Sequence, residues 1–125
     1  MKVVIVGAGE VGYHIASKLS RENKDVVLID RDPERLKQVS ETLDVQILQG
    51  SGSSPALLRR AGIDTADMIV AVTDSDESNL VACLMSRVLS PGTTRIARIR
   101  NHEFIEVEGI TSEEVLGLSL VIYPE

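Results

Sequence analysis

The sequence predicts an α/β fold: a doubly wound parallel sheet of about six strands with helices on both faces. Short apolar segments alternate with amphipathic segments along the whole chain, as strands and helices alternate in this class. Hydrophobic residues make up 43% of the 125 residues, but aromatic residues only 2%. An aliphatic core of this kind suits parallel strands buried on both faces. The length is typical of one domain.

Six apolar runs are predicted as strands, because each is short, rich in Val, Ile or Leu, and bounded by polar or glycine residues. The region between the last two runs, residues 101–119, has the least regular pattern. The predicted strands are Lys2–Val6, Val26–Asp30, Val45–Gln49, Met68–Val72, Arg95–Ile99 and Leu120–Tyr123.

Capping signals predict where the helices begin. Asp32 and Ser54 each precede a proline, the order expected of an N-cap and first helical residue. The acidic cluster Asp74, Asp76 and Glu77 is interpreted as the solvated start of a further helix. The expected helices are Gly9 or Val11 to about Leu19, Pro33 to about Leu43, Pro55 to the stop at Gly62, Asp76 to Leu89, and a short helix capped by Thr111 and Glu114.

Composition excludes several classes of function. The net charge is −6 and aromatic side chains are scarce, so we expect no nucleic-acid partner, which would need basic patches and stacking rings. No apolar run is long enough to cross a bilayer, so we expect a cytoplasmic chain without direct membrane insertion. Cys83 is the only cysteine, which excludes an internal disulfide or a cysteine metal cluster and predicts a small core residue.

A glycine motif follows the first predicted strand and opens the first predicted helix. The segment Gly7-Ala8-Gly9-Glu10-Val11-Gly12 matches G-x-G-x-x-G in the context that this pattern requires. Gly7 permits a tight turn, Gly9 lets backbone amides approach a pyrophosphate, and Gly12 lets the helix pack closely on the sheet. The helix N-terminus favours phosphate binding. The motif therefore predicts a Rossmann-type nucleotide site.

Asp30 is the predicted ribose-binding residue. It ends the second strand, eighteen residues beyond Gly12, which is about the distance at which this fold places a carboxylate on the adenosine ribose. Its charge would repel a 2′-phosphate, which favours NAD over NADP. Arg31 leaves that choice open, because a neighbouring arginine can accept the phosphate.

Other candidate residues follow from the rule that ligands lie outside the carboxyl ends of parallel strands. Gly50 and Ser51 are expected to flank the adenosine, and Thr73 and Asp74 to line the pocket beside the glycine loop. Arg98 is a candidate phosphate clamp, because a guanidinium pairs with two phosphate oxygens at once. The alternative for each is an ordinary solvated loop residue.

No catalytic arrangement is recognisable. A dehydrogenase needs a second region to hold its substrate, and the chain has neither a G-x-x-x-x-G-K-[ST] loop nor a nucleophile elbow. His14 and His102 are expected at the surface or in packing roles. We therefore predict a chain that is not an enzyme. Two alternatives stay open: the cofactor-binding half of an NAD-dependent dehydrogenase, and an interaction module without a ligand.

Several segments together resemble the N-terminal lobe of RCK domains, also called TrkA-N or KTN domains. The resemblance covers essentially the whole chain in order, and it is closest to peripheral subunits of Trk-type potassium uptake systems. The segments are Gly7–Gly12, Leu28–Asp30, Ala66–Thr73, Asp76–Leu80, Ala97–Arg100 and Tyr123–Glu125.

The resemblance implies a regulatory function. Residues 1–125 would be a single nucleotide-binding lobe, without the C-terminal helix and second lobe of full-length relatives. Such lobes bind NAD(H) or adenine nucleotides, form dimers and rings, and control a membrane potassium transporter or channel from its cytoplasmic side. By position, residues 7–11 would form the phosphate loop, Asp30 would hold the ribose, Thr73 and Asp74 would line the pocket, and Arg98 would be the cationic contact.

Departures from the family refine the ligand. ATP-preferring relatives have an arginine where this chain has Glu10, and a carboxylate there should repel a terminal phosphate. NAD(H) is therefore the first expectation, with ADP, AMP and ATP as alternatives. Calcium-gated relatives have acidic residues near the ends of the fourth and fifth strands, and this chain has Val72, Arg98 and Arg100 in those neighbourhoods, so that calcium site is not expected and no metal site is predicted. Glu125 matches a glutamate that some relatives use at a subunit interface.

Overall fold

A six-stranded parallel sheet forms the centre of the molecule. The structure, a computed structural model, describes residues 1–107 and 118–122. The strands are β1 (Lys2–Val6), β2 (Asp25–Asp30), β3 (Gln46–Gln49), β4 (Met68–Ala71), β5 (Thr94–Arg98) and β6 (Leu120–Ile122). They lie side by side in the order β3-β2-β1-β4-β5-β6, and every adjacent pair is parallel. The predicted doubly wound parallel sheet is confirmed.

In the described part of the chain, five α-helices lie between the strands. They are α1 (Glu10–Arg21), α2 (Pro33–Thr42), α3 (Pro55–Arg60), α4 (Asp76–Leu89) and α5 (His102–Glu106), with a 3-10 turn at Ile63–Thr65. The first four confirm the predicted helices to within a few residues. Within the described residues, none of these helices has both the length and the apolar character needed to span a bilayer.

The 3-10 turn and α5 were not predicted. At five residues α5 is too short for a periodic apolar pattern, and it begins where the Asn101 side chain accepts a hydrogen bond from the Glu103 amide at 2.9 Å. The helix expected at Thr111 and Glu114 lies outside the described residues.

The predicted caps form because each side chain reaches an otherwise unpaired amide at the start of its helix. Asp32 accepts from the Glu34 amide at 2.9 Å, and Ser54 accepts from the Leu57 amide at 3.2 Å. At α4 the N-cap is Ser75, which accepts from the Ser78 amide at 3.1 Å. No member of the acidic cluster at that helix is therefore the capping residue.

The two faces of the sheet bury separate apolar clusters. Val3 and Ile5 of β1 face α1 and α2, whereas Val4 and Val6 face α3 and α4. This alternation follows from the two-residue period of a strand. Both faces being covered explains why the strands are almost uniformly apolar. The helices thus cover both faces of the described sheet. The carboxyl ends of its strands border the site described below.

Cys83 is a core residue, as predicted. Its side chain is fully buried on α4, and its sulfur lies 3.8 Å from the Ile96 carbonyl oxygen. Burial raises the pKa of the Cys83 thiol from 9.0 to about 12, although the positive charge of Arg95 lowers it in part. The folded protein therefore keeps this thiol protonated at pH values where an unfolded chain would ionise it.

This pKa difference predicts a loss of stability at alkaline pH. Below pH 9 both states hold the proton, so the thiol has no effect. As the pH rises from 9 towards 12, only the unfolded state ionises, and the free energy of unfolding should fall by up to about 1.4 kcal/mol per pH unit from this group. Denaturant unfolding of wild type and Cys83→Ala between pH 8 and 10.5 should show the steeper decline in wild type. Equal slopes would contradict the assignment.

Candidate nucleotide-binding site

A cavity of about 430 Å³ opens at the carboxyl edge of the sheet, beside the ends of β1 and β4. The connections from these two central strands lead to opposite halves of the sheet, and this divergence is where ligands bind in open parallel sheets. The volume lies in the range of small-molecule sites. The sequence-predicted residues that line it are Gly7, Gly9, Glu10, Val11, Asp30, Arg31, Gly50, Ser51, Thr73, Asp74 and Arg98.

The glycine loop is held against the sheet by close backbone contacts. Gly7 has φ +114°, and a Cβ there would lie 3.0 Å from the Val72 carbonyl oxygen and the Thr73 amide nitrogen. A Cβ on Gly12 would overlap the Gly7 carbonyl oxygen. Gly12 therefore packs α1 onto the loop from behind and does not line the cavity. The cavity instead meets Gly9, the N-cap of α1, which offers no side chain to the first helical amides.

Asp30 is fixed by two backbone amides. Its Oδ2 accepts a hydrogen bond from Ala8 at 2.7 Å, and its Oδ1 accepts one from Asp32 at 2.8 Å. Ala8 thus contributes its amide to Asp30 and does not line the cavity. Each carboxylate oxygen has a second acceptor site, so Asp30 can still accept from two ribose hydroxyls. Its side chain is only 11% exposed, which strengthens such contacts.

The segment after β3 forms a second wall. Gly50 adopts φ +146° and donates its amide to the Asp30 carbonyl oxygen at 2.9 Å. Arg31 reaches across to this wall and donates to Ser51 Oγ at 3.2 Å. Gly52, which the sequence did not single out, is buried so closely against Val6 that a Cβ would overlap its side chain. The wall therefore follows the ends of β1 and β2.

Asn79, to which no sequence motif pointed as a site residue, holds the third wall together. Its side chain is fully buried. The amide oxygen accepts from the Thr73 amide at 2.9 Å and from the Thr73 hydroxyl at 2.7 Å. The amide nitrogen donates to the carbonyls of Thr73 at 3.1 Å and Arg98 at 2.8 Å. One side chain on α4 thereby ties the carboxyl ends of β4 and β5 together.

The interpretation of Asp76 as a solvated residue at the helix start was wrong. The residue is only 7% exposed, and its two carboxylate oxygens accept from the amides of Arg100 at 2.9 Å and Asn101 at 2.7 Å. These amides lie after β5, about 24 residues away along the chain, so tertiary contact outweighs the local signal. Asp76 thus anchors the segment that follows Arg98.

Arg98 lines the cavity and is held by contacts at one of its guanidinium nitrogens. The residue is 9% exposed, and its Nη2 donates to the Thr73 carbonyl at 2.7 Å and to Asp74 Oδ1 at 3.2 Å. Its Nε is buried without a hydrogen-bond partner among the described residues, which costs free energy. Arg100, which also lines the cavity, lies 3.5 Å from the same Asp74 oxygen. Two cations therefore share one exposed carboxylate at the cavity mouth.

The positions of two histidines and one further arginine relative to the cavity bear on what it can bind. His14 and His102 are both exposed, and neither lines the cavity. Arg35 lines it although the sequence analysis did not select it. Its only sequence signal is an arginine in the first turn of the helix that follows the ribose carboxylate.

Comparison with known proteins identifies the family. The family model of the TrkA-N domain matches residues 3–124. The chain belongs to the TrkA-N family. The predicted resemblance is thereby confirmed, and the glycine loop and Asp30 lie inside the matched range.

Curated relatives of this TrkA-N chain are potassium uptake proteins. The Trk system potassium uptake protein TrkA of Haemophilus influenzae is 44% identical over 126 residues, which cover 100% of this chain and 28% of that protein. TrkA of Halomonas elongata is 39% identical over 125 residues, which cover 100% of this chain and 27% of that protein. The chain therefore spans little more than a quarter of the length of these relatives.

Solved structures share the fold. The TrkA-N domain of the inner membrane protein ybaL from Escherichia coli superposes with a TM-score of 0.84 at 21% identity, covering 98% of this chain and 86% of that one. The GsuK RCK domain superposes with a TM-score of 0.76 at 27% identity, covering 98% of this chain and 25% of that one. The GsuK channel bound to NAD superposes with a TM-score of 0.77 at 22% identity, covering 97% of this chain and 21% of that one.

Proposed function

We propose that this TrkA-N chain is a regulatory domain that binds NAD(H) in the cavity and thereby controls a potassium transporter or channel. The observation that supports it most is the position of Asp30. Two amides fix this carboxylate beside the glycine loop at 2.7 and 2.8 Å, as ribose recognition requires next to a phosphate loop. ADP, AMP and ATP are the alternative ligands.

The comparisons support the same proposal. A structural neighbour of this chain is a channel bound to NAD, and the curated relatives belong to Trk potassium uptake systems. We propose that residues 1–125 act as a single nucleotide-binding lobe, and that the physiological partner is the membrane subunit of such a system. The protein would work as a homo-oligomer, a dimer or a ring of dimers, in the cytoplasm against the inner face of the membrane.

A nucleotide can act as a signal only if it binds two conformations with different affinity. The cavity wall offers such a connection. Arg98 and Thr73 touch the ligand space, and Asn79 and Asp76 join their strand ends to α4 and to the segment before α5. A ligand that repositions Arg98 would therefore move groups at the helical surface, where a neighbouring subunit would respond.

The chemistry of the lining does not favour the dehydrogenase alternative. Among the described residues that surround the cavity there is no histidine, cysteine, lysine or tyrosine, the side chains most often used for proton transfer near neutral pH along with carboxylates. A binding function needs none of them. We therefore propose that the chain is not an enzyme.

Calorimetric titration with NADH, NAD, NADPH, ADP and ATP tests this proposal, with an assay of NADH oxidation on the same samples. We expect NADH and NAD to bind more tightly than NADPH, without turnover. Turnover of NADH would instead favour the cofactor-binding half of a dehydrogenase. Failure of every nucleotide to bind would favour an interaction module without a ligand.

Glu10 is expected to discriminate against ATP. It is the exposed first residue of α1 and lines the cavity, so its charge faces the place where a terminal phosphate would lie. Glu10→Arg should raise the affinity for ATP by about ten-fold, because it replaces repulsion with a charge-assisted contact. Adenosine affinity should stay unchanged, and Glu10→Gln should give a smaller gain. An unaltered ratio of ATP to ADP affinity in Glu10→Arg would show that this side chain does not face the phosphates.

A further inference from the structure

Arg35 lies between the two parts of the predicted ligand site, which are the glycine loop and the ribose carboxylate of Asp30. It lies in the first turn of α2, and its Nη1 is 4.0 Å from Oδ2 of Asp30. The same nitrogen is 3.7 Å from the position that a Cβ on Gly9 would occupy. One guanidinium therefore stands within reach of both the ribose carboxylate and the glycine loop.

Two cavities meet at this side chain. Arg35 lines the main cavity, and it also lines a second one of about 330 Å³ on the other side of the glycine loop, beside Tyr13 and His14. Gly9 and Glu10 are shared in the same way. Arg35 therefore borders both cavities beside the loop, and its side chain is 48% exposed.

The neighbouring carboxylates orient Arg35 but do not use its hydrogen-bond donors. Besides Asp30, it faces Asp32, whose Oδ2 is 3.9 Å from Nε. Both separations are too long for hydrogen bonds, and the guanidinium makes none with another described residue. Asp32 uses its other oxygen to cap α2 at the Glu34 amide. A guanidinium has five donors, so those of Arg35 are available to an anion over the loop.

The local charge balance means that an anion at the loop needs a cation beside it. Asp30, Asp32 and Glu10 supply three negative charges around the loop, and Arg31 and Arg35 supply two positive ones. Arg31 is directed to Ser51 on the opposite wall, so Arg35 is the cation on the glycine-loop side of Asp30. Without Arg35, a phosphate bound at the loop would face the three carboxylates of Asp30, Asp32 and Glu10 with no cation among the described residues on that side of Asp30.

We propose that Arg35 binds the 5′-diphosphate of the nucleotide, as a second cationic contact from α2 that complements Arg98 on the other side of the cavity. This inference rests on the proposed nucleotide-binding function. The ligand class is a nucleoside 5′-diphosphate, either free or as half of a dinucleotide. Arg35 donates to phosphate oxygens over the glycine loop, while Asp30 accepts from the ribose.

The test compares adenine ligands that differ in their phosphates, together with NADH. Dissociation constants of adenosine, AMP, ADP, NADH and adenosine 2′,5′-bisphosphate are measured for wild type, Arg35→Gln and Arg35→Lys. Arg59→Gln is the matched control, because Arg59 is an exposed arginine on α3 that does not line either cavity. Arg35→Gln should weaken the binding of ADP and NADH by about ten-fold, and the binding of adenosine by less than about two-fold. Arg35→Lys should recover part of the loss, and Arg59→Gln should match wild type.

Three results would overturn the inference while the nucleotide-binding function stands. Equal losses for adenosine and ADP would mean that Arg35 only positions Asp30. A loss confined to the 2′,5′-bisphosphate would place it at the 2′-position. Unchanged binding of every ligand would mean no contact. If wild type itself bound no ADP or NADH, the proposed function would fail, and the inference with it.

Discussion

Replacing Gly12 by alanine is expected to prevent the chain from folding stably. A Cβ at this position would overlap the carbonyl oxygen of Gly7 and would lie 2.8 Å from its carbonyl carbon. Both obstacles are backbone atoms, and Gly7 is held in turn by its amide hydrogen bond to the Ile29 carbonyl at 2.8 Å. Relief requires α1 to move off the sheet, at a cost of about 3 kcal/mol or more. That is a large part of the stability of a domain this size.

Denaturant unfolding monitored by circular dichroism measures this effect. The matched control is Gly92→Ala, because a Cβ on Gly92 would meet no atom within 4 Å, and its stability should stay within about 0.5 kcal/mol of wild type. A Gly12→Ala protein as stable as the control would show that α1 can withdraw from the loop without cost. The close approach would then have no bearing on the fold.

Replacing Asp30 by alanine is expected to abolish nucleotide binding at concentrations where wild type is saturated. The change removes an acceptor for two ribose hydroxyls, and hydrogen bonds to a charged group contribute about 1.5–3 kcal/mol each. It also removes the acceptor that fixes the Ala8 amide at 2.7 Å, so the glycine loop loses its alignment. Together these losses predict a dissociation constant at least about 100-fold higher for NADH and ADP.

The control for this variant is Asp25→Ala. Asp25 is exposed at the opposite end of the same strand, so its replacement changes the net charge equally without touching the cavity. Both variants should remain folded by circular dichroism at the titration temperature, although Asp30→Ala should melt lower because two amides lose their acceptor. Wild-type affinity in Asp30→Ala would exclude Asp30 from ligand recognition.

Most of the fold could be predicted because its signals are local. The strands are continuous apolar runs, and the proline residues at positions 33 and 55 follow side chains that do cap their helices. Helix α5 was missed, since five residues cannot show a helical period. Strand order is not local in this sense, and the sequence predicted a doubly wound parallel sheet without an order for its strands.

The site could be predicted where a residue belongs to the glycine motif or lies at the carboxyl end of a predicted strand. The glycine motif and Asp30 belong to one strand-helix-strand unit, so spacing alone places them together. Asn79 and Asp76 act across the fold, on partners that adjoin them only after the sheet has assembled. Arg35 lies near its sequence neighbour Asp30, but it reaches Gly9 only once α2 has packed beside the glycine loop. Their sequence surroundings are those of ordinary helix starts, which is why Asp76 was misinterpreted and Arg35 was not selected.

Amide chemical shifts of the ¹⁵N-labelled protein during titration with NADH test the central claim most directly. We expect the largest changes in chemical shift at the strand ends around the main cavity, in residues 7–10, 30–31, 50–53 and 73–75 and at Arg98. Val81 and Val88, exposed on the outer face of α4, should shift little. A saturable response centred on those loops would establish the nucleotide site. No response at saturating ligand, or shifts centred on the outer face of α4, would contradict it.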